Sequence, residues 1–444
     1  MLKTFKIGGI HPAGNKLSAG RHIEKLPLPK IVFIPIAQHI GAPAKPIVQI
    51  GDKVKAGQLI AQAGGFVSAN IHSSVSGTVK KFALAPDSGG YPKQCIVIER
   101  EGDDWDESIL NKEENGDKLD SKTIIDRIKQ AGIVGMGGAT FPTHVKLMPP
   151  PGKKAEILII NGVECEPYLT ADHRLMLEKG EEIIKGIHLL MKALNVKKSC
   201  IGIENNKKDA IKHLTKLTSG DPEITVVPLK MKYPQGGEKQ LINAITGREV
   251  PSGALPIETG AVVSNVGTTF AVYEAVLKNK PLFERVVTVT GKKLSKPSNF
   301  LVRIGTPIKE LIEATGVSSI EGGKVICGGP MMGRAVNSTD IPVTKGTSGV
   351  LLIPEEESKR GQEQDCIRCG RCITVCPMGL EPYLLATVSS RKQWDVAEDH
   401  NVMDCIECGS CSFTCPTNRP LLDYIRQGKK NVGAILRARK SKKQ

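Results

Sequence analysis

The sequence predicts a multidomain α/β chain with a doubly wound, mainly parallel sheet at its centre and a helical, cysteine-rich unit at its C-terminal end. Three observations predict it. Short apolar strands broken by Gly and Pro fill residues 31–85, helix and strand alternate from about Asp120 to Leu277, and eight of the twelve cysteines fall in two tight runs after residue 365. The 444 residues are 40% hydrophobic and 24% charged, enough for about three domains with real cores. No run of about 18 apolar residues occurs, so no membrane-spanning helix is expected. Met1-Leu2-Lys3-Thr4-Phe5-Lys6 lacks the apolar stretch of a signal peptide. The expected location is cytoplasmic, where free thiols outlast disulfides.

Along the first unit, residues 1–101, strands are expected at Ile31–Ile36, Ile47–Ile50, Gln58–Ala63 and Gly77–Phe82. Gly51–Ile60 and Ser74–Val79 resemble the biotinyl and lipoyl carrier domains, which implies a barrel-sandwich shape. Carriers need a lysine on an exposed hairpin, and none lies between Lys55 and Lys80, so the carrier chemistry is absent. Residues 102–120 are acidic and polar, as in a linker.

The central unit, residues 120–280, opens with Ser121–Gln130, whose Ile124, Ile125 and Ile128 share one helical face. Strands Ile157–Ile160, Cys200–Glu204, Ile224–Leu229 and Ala261–Ser264 then alternate with helices Arg174–Leu194, Lys207–Leu217, Gly237–Ile245 and Thr268–Leu277. Such alternation makes an open parallel sheet with helices on both faces. Ligands bind beyond the C-terminal ends of such strands, where Asn161, Glu164, Asn205, Tyr233 and Asn265 fall. Residues 281–350 read as a small α/β unit, with strands Val286–Thr290 and Lys324–Cys327 and helix Ile308–Thr315.

The cysteines carry the most specific signal. Cys366-x2-Cys369-x2-Cys372-x3-Cys376-Pro377 and Cys405-x2-Cys408-x2-Cys411-x3-Cys415-Pro416 both have the two-cluster ferredoxin spacing. Three close thiolates wrap one cubane, and the fourth crosses to the other. This assigns Cys366, Cys369, Cys372 and Cys415 to one [4Fe–4S] cluster, and Cys405, Cys408, Cys411 and Cys376 to a second. Structural zinc also takes paired Cys-x2-Cys, but rarely this run twice with the trailing Pro. Clusters carry single electrons and do not bind hydride, so a two-electron converter must sit elsewhere.

Gly135-Met136-Gly137-Gly138-Ala139-Thr140-Phe141 is a candidate phosphate or flavin cradle, because glycines let backbone N–H groups approach a ligand. It is neither Walker A nor Gly-x-Gly-x-x-Gly. The turn Asn161–Arg174 adds two acids and an amide after a strand. Tyr233–Lys239 and Ser264–Thr269 both open helices. The plain alternatives are tight turns for the glycines, a helix cap for Asp172 and loop packing for Phe141.

In order and spacing, Gly135–Lys146, Asn161–Arg174, Tyr233–Lys239 and Ser264–Thr269 are similar to the FMN- and NADH-binding flavoprotein subunit of respiratory complex I. Residues 286–333 look like the β-grasp (SLBB) domain that follows in that family. With the lysine-less barrel in front and two ferredoxin motifs behind, residues 5–428 resemble the RnfC family, the C subunits of the Rnf electron-transport complexes. The resemblance implies a barrel-sandwich hybrid, a Rossmann-like FMN/NADH domain, a β-grasp domain and a 2[4Fe–4S] domain over residues 356–428. It implies non-covalent FMN, NAD(H), and FMN contacts at Gly135, Gly137, Gly138, Lys146, Asn161, Glu164, Glu166, Tyr233, Gly237, Glu238, Asn265 and Thr268. Phe141 is a candidate to stack on nicotinamide or adenine.

The resemblance further implies a peripheral subunit on the cytoplasmic face of the cell membrane. Its partners would be integral membrane subunits, a ferredoxin-like iron–sulfur subunit and, indirectly, ferredoxin. Val163 and Lys239 depart from acids in the complex I pattern, which bears on the nicotinamide contacts. Two other readings stay open: a soluble flavin–iron–sulfur reductase of the same superfamily, related to cobalamin reductases, and a non-catalytic electron-wiring module. Formal net charge is +15, and the chain from Arg426 onward has eight Lys/Arg and no acid, so 429–444 reads as a basic tail, either solvated or docked on an anionic surface. Aromatics at 4% leave few groups to stack on bases, so no nucleic-acid partner is expected.

Overall fold

The computed structural model describes residues 2–317 and 323–442. Its N-terminal unit pairs a four-stranded antiparallel sheet, in the order Ile31–Pro35, Pro92–Gly102, Ser76–Pro86, Lys53–Val54, with a three-stranded one made by Lys45–Pro46, Leu59–Gln62 and Ile71–His72. Val32, Ile34, Ile60, Ile71, Val79 and Ile98 close the core between them. The strand expected at Ile47–Ile50 does not form. Asp52 accepts a hydrogen bond from the Gln49 N–H at 2.7 Å and Gly51 takes a left-handed φ of 95°, so the chain turns there and leaves Ile50 63% exposed.

Residues 2–25 run outside both of these sheets. Lys3 bridges Leu229, Ile10 bridges Tyr233, and Ile23–Lys25 adds an edge strand beside Ser298–Arg303. The expected linker is a docked strap. Trp105 bridges Ala56 and meets the Phe283 ring edge-on at 5.3 Å, and Glu113 accepts from the Tyr273 hydroxyl at 2.8 Å.

The central sheet is parallel throughout, in the order Ile224–Leu229, Ser199–Glu204, Ile157–Asn161, Ala261–Asn265. The single helix expected over Arg174–Leu194 is two, Ala171–Glu178 and Gly180–Leu194, broken where Lys179 leaves helical geometry. Glu181 and Glu182 open the second helix, where the positive end of its dipole favours acids. The next unit builds a six-stranded mixed sheet around Glu284–Thr290 and Gly349–Ile353, with Ile308–Glu313 packed on it.

The expected basic tail is the end of a helix, Leu421–Ser441. Ile425, Gly428 and Val432 bury one stripe of it against the cysteine unit, and Arg439 pairs with Glu398 at 2.8 Å. Among the described residues, no helix is long and apolar enough to cross a membrane.

Lys345 ties three of these units together. Its buried ammonium donates to the Asn70 carbonyl of the barrel and the Gly132 carbonyl of the central unit, both at 2.7 Å. Burial lowers its pKa to about 7. Lys345→Met leaves both carbonyls buried without a donor, a loss of about 1–3 kcal/mol each. The expected outcome is a melting temperature several degrees below that of the parent chain, read by differential scanning calorimetry, with iron content unchanged.

Candidate cofactor sites

The chain leaves Ile157–Asn161 in one direction along the sheet and returns on its other side with Ala261–Asn265. The strand order therefore reverses between these two, and Asn161 and Asn265 stand opposite each other at the C-terminal edge. Such a switch point opens a crevice. Asn265 caps helix Val266–Leu277, accepting from the N–H groups of Gly267 and Thr268 at 2.9 and 3.3 Å. Its amide donates to Asp172 at 2.7 Å. Asn161 donates to the Gly236 carbonyl at 2.8 Å, which draws the Tyr233–Gly237 loop to the same edge.

The glycine loop closes over this edge. The Met136 N–H donates to the Thr268 hydroxyl at 2.9 Å, and Gly135 bonds back to Phe141. A Cβ on Gly137 would sit 3.0 Å from the Asn265 side chain, while one on Gly138 would meet nothing within 4 Å. The backbone of Gly137–Ala139 is exposed and Phe141 is half-buried beside it. Lys146 and Glu238 pair at 2.5 Å, and Gly237 is the N-cap of helix Glu238–Thr246. An open glycine backbone over a helix N-terminus, flanked by amides, fits a nucleotide phosphate and a flavin.

The acidic turn divides its labour. Glu164, with a left-handed φ of 45°, caps helix Ala171–Glu178 by accepting from the Asp172 and His173 N–H groups at 2.8 and 3.2 Å. The cap is therefore Glu164, and Asp172 faces Asn265. Burial, with Glu164 as a neighbouring like charge, raises Asp172 to about 7. Glu166 turns toward the β-grasp unit, accepting from the Met332 and Met331 N–H groups at 2.7 and 3.2 Å. Burial raises it to about 7. Gly329 makes that approach possible, since a Cβ there would lie 2.3 Å from the Glu166 carboxylate. Tyr233 also faces away from the glycine loop: its hydroxyl donates to the Cys408 carbonyl at 2.8 Å. The structure thus gathers Gly135, Gly137, Gly138, Phe141, Asn161, Asn265 and Thr268 at one edge, and turns Glu166 and Tyr233 toward neighbouring units.

Sequence reasoning missed Lys16 and Lys207, whose buried ammonium groups reach beneath the acidic turn. Lys207 had a signal in its place just past a strand; Lys16 had none. Cys165 is held as a thiol, pushed up to about 12 by burial and by Glu204.

Cys376, Cys405, Cys408 and Cys411 line one pocket, walled otherwise by residues such as Met378, Leu380, Leu385 and Ile425. Burial pushes Cys405 up to about 11 and Cys411 to about 12, and in each case Cys376 and Cys408 add to the shift, so the four thiols are near neighbours. Iron would offset that penalty by holding them as thiolates. Among the described residues, no three His, Cys, Asp or Glu side chains converge as they would on a single metal ion. The four thiols are the set that the ferredoxin spacing assigns to one cubane. In the other set Cys366 and Cys369 are exposed, Cys372 is buried and Cys415 half-buried. The cavity lies against the central unit, where Gln240 donates to the Pro377 carbonyl at 3.2 Å.

A switch-point crevice with a glycine cradle, joined to two ferredoxin-type cysteine sets, defines a flavin–iron–sulfur electron-transfer protein. Family models match accordingly: the RnfC barrel sandwich hybrid domain over residues 3–103, the Nuo51 FMN-binding domain over 128–274, the SLBB domain over 286–335 and the 4Fe-4S dicluster domain over 358–416. The chain is 51% identical over 429 residues to the C subunit of the proton-translocating ferredoxin:NAD(+) oxidoreductase complex of Clostridium ljungdahlii, covering 96% of this chain and 93% of that one. It is 48% identical over 434 residues to the C subunit of the Na(+)-translocating complex of Acetobacterium woodii, covering 97% of each. The C subunit of the ion-translocating oxidoreductase complex of Rhodobacter capsulatus is 44% identical over 86% of this chain and 75% of its own.

An NAD+-reducing [NiFe]-hydrogenase in the air-oxidized state shares the fold over 70% of this chain and 63% of its own, with a TM-score of 0.50 at 16% identity. The chain belongs to the RnfC family, the C subunits of ion-translocating ferredoxin:NAD+ oxidoreductase (Rnf) complexes.

Gly137→Val presses its side chain into that of Asn265, so the cradle must shift to make room. The expected outcome is at least a tenfold loss of FMN affinity, measured by flavin fluorescence, with iron content intact.

Proposed function

We propose that the chain is the NADH-side subunit of an ion-translocating ferredoxin:NAD+ oxidoreductase complex, working through FMN at the switch-point crevice and two [4Fe–4S] clusters. One observation carries this reading: loops that border the crevice reach the second cysteine set, with the Tyr233 hydroxyl donating to the Cys408 carbonyl and Glu166 holding the Met331–Met332 loop. Bound FMN supplies the exchange between a hydride and single electrons, and bound clusters supply one-electron carriage. The chain supplies position. The glycine loop and the start of Val266–Leu277 hold the phosphate end, Asn161 and Asn265 fix the crevice edge, and Phe141 offers a face for the nicotinamide or adenine ring. No side-chain acid is required for the hydride step.

The two departures from the complex I pattern leave room for a catalytic chain. Val163 is fully buried in the apolar core beneath the turn, and Lys239 reaches outward to the Pro251 carbonyl at 3.3 Å. Neither side chain blocks the cradle. The first cysteine set opens to the surface at Cys366 and Cys369, beside exposed Arg368, Arg371 and Ile367. This face suits an acidic iron–sulfur partner, which matches a ferredoxin-like subunit of the complex. The membrane subunits then hold the chain at the cytoplasmic face.

Reconstituted full-length chain should reduce a one-electron dye with NADH, and Phe141→Ala should raise the KM for NADH severalfold while FMN and iron stay bound. Flavin and iron without any NADH-dependent reduction would leave only the wiring role. The exposed cations Arg437, Lys440 and Lys442 line the end of the last helix. Each is worth about 1 kcal/mol near an anionic surface, screened by salt. Their replacement by Gln should weaken co-sedimentation with anionic vesicles at moderate salt and leave dye reduction unchanged. Equal co-sedimentation across a salt series would assign docking to the folded units.

A further inference from the structure

The acidic turn of the crevice holds an unusual backbone. Glu164 and Tyr168 both take left-handed φ values, 45° and 69°, without being glycines. Such residues persist where the surroundings over-determine them. Here the surroundings come from a distant part of the chain. Segment 14–18 runs beside the turn: the Tyr168 N–H donates to the Gly14 carbonyl at 2.8 Å, and the Ser18 and Thr170 hydroxyls meet at 2.6 Å. Between them Lys16 points inward. Its ammonium donates to the carbonyls of Glu164, Glu166 and Leu169 at 2.8, 2.9 and 2.6 Å. Three N–H donors meet three carbonyls, so the group is saturated.

We propose that Lys16 is a positioning residue for the flavin: its three-way clamp holds the Glu164–Leu169 backbone in the shape that completes the crevice, and FMN is retained tightly only while that ammonium carries all three protons. The inference rests on FMN occupying the switch-point crevice. Lys207 supports the same turn from the opposite side, donating to the Val163 carbonyl at 2.7 Å, but it has Glu204 as a counter-ion at 3.7 Å. Lys16 has no carboxylate within ion-pair distance among the described residues and bonds only to backbone.

Deprotonation has a definite structural meaning at this site. A neutral amine has two N–H groups, so one of the three carbonyls loses its donor and the turn loses one of its clamps. Burial, with Lys207 as a neighbouring cation, lowers Lys16 to about 8, while Glu164, Glu204 and Cys165 act the other way. Glu166 also faces it, and His11 and Lys232 line the same cleft. The sign follows: affinity for FMN is full below about pH 8 and falls as pH rises through that value, by up to tenfold per pH unit for one proton.

The test is FMN binding to the full iron-loaded chain, followed by flavin fluorescence between pH 6 and 10, in the parent, Lys16→Arg and Lys16→Met. The expected result is an alkaline loss of affinity in the parent. Lys16→Met should bind FMN at least tenfold more weakly at pH 7 and show no alkaline step, with iron content unchanged. Lys16→Arg, permanently charged, should bind more tightly than Lys16→Met and also lack the step. Parent-like affinity in Lys16→Met, or an alkaline step that survives in both variants, would overturn the clamp and assign the titration to Glu166 or Asp172. A parent chain that binds no FMN at any pH would instead overturn the flavin reading itself.

Discussion

The parallel register that sets Asn161 opposite Asn265 is the constraint on which the other features depend. Because the strand order reverses between their two strands, the loops beyond them part and leave a crevice. Each asparagine then has a second duty. Asn265 ends one strand, caps the next helix and reaches Asp172. Asn161 ends its strand and draws in the loop that carries Tyr233. The glycine loop needs small residues to lie over that edge, since a Cβ on Gly137 would come within 3.0 Å of the Asn265 side chain.

Around the crevice the units are joined through buried polar groups as well as shared apolar clusters. Lys345, Glu166 and Tyr233 each satisfy backbone groups of a different unit. A buried polar group is tolerated only when its partners are in place, so these contacts specify how the units sit as well as adding stability. Glu166 shows the functional consequence. It belongs to the flavin turn by sequence, yet its carboxylate holds the Met331–Met332 loop, whose Met331 carbonyl would lie 2.8 Å from a Cβ on Gly409. Flavin turn, β-grasp loop and second cysteine set are consecutive contacts.

Much of this is legible in the sequence where the signal is local. The helix at Ser121–Gln130 follows from its isoleucine spacing, the central strands from apolar runs between turn residues, and the cysteine sets from their intervals. Asn161 and Asn265 are legible because the doubly wound pattern locates strand ends. What is not legible is long-range. Nothing near Lys16 announces that it will serve a turn some 150 residues away. The strand at Ile23–Lys25 is formed by a partner far along the chain. Asp172 reads as a cap for a helix starting near Arg174, but the helix begins at Ala171, so Asp172 lies within its first turn and Glu164 accepts from its first N–H groups instead. The basic end of the chain reads as a tail by charge, whereas Ile425, Gly428 and Val432 supply the helical stripe that packs it.

The central claim is that the second cysteine set, not the first, is the one the flavin crevice addresses. The most direct measurement is rapid freeze-quench EPR of the FMN-loaded chain after mixing with NADH, comparing Cys369→Ser with Cys408→Ser, each checked to retain one cluster's iron. The account predicts that Cys369→Ser still shows its remaining cluster reduced at the rate of the parent chain, while Cys408→Ser leaves the surface cluster oxidised on that timescale. Fast reduction in Cys408→Ser together with slow reduction in Cys369→Ser would contradict it.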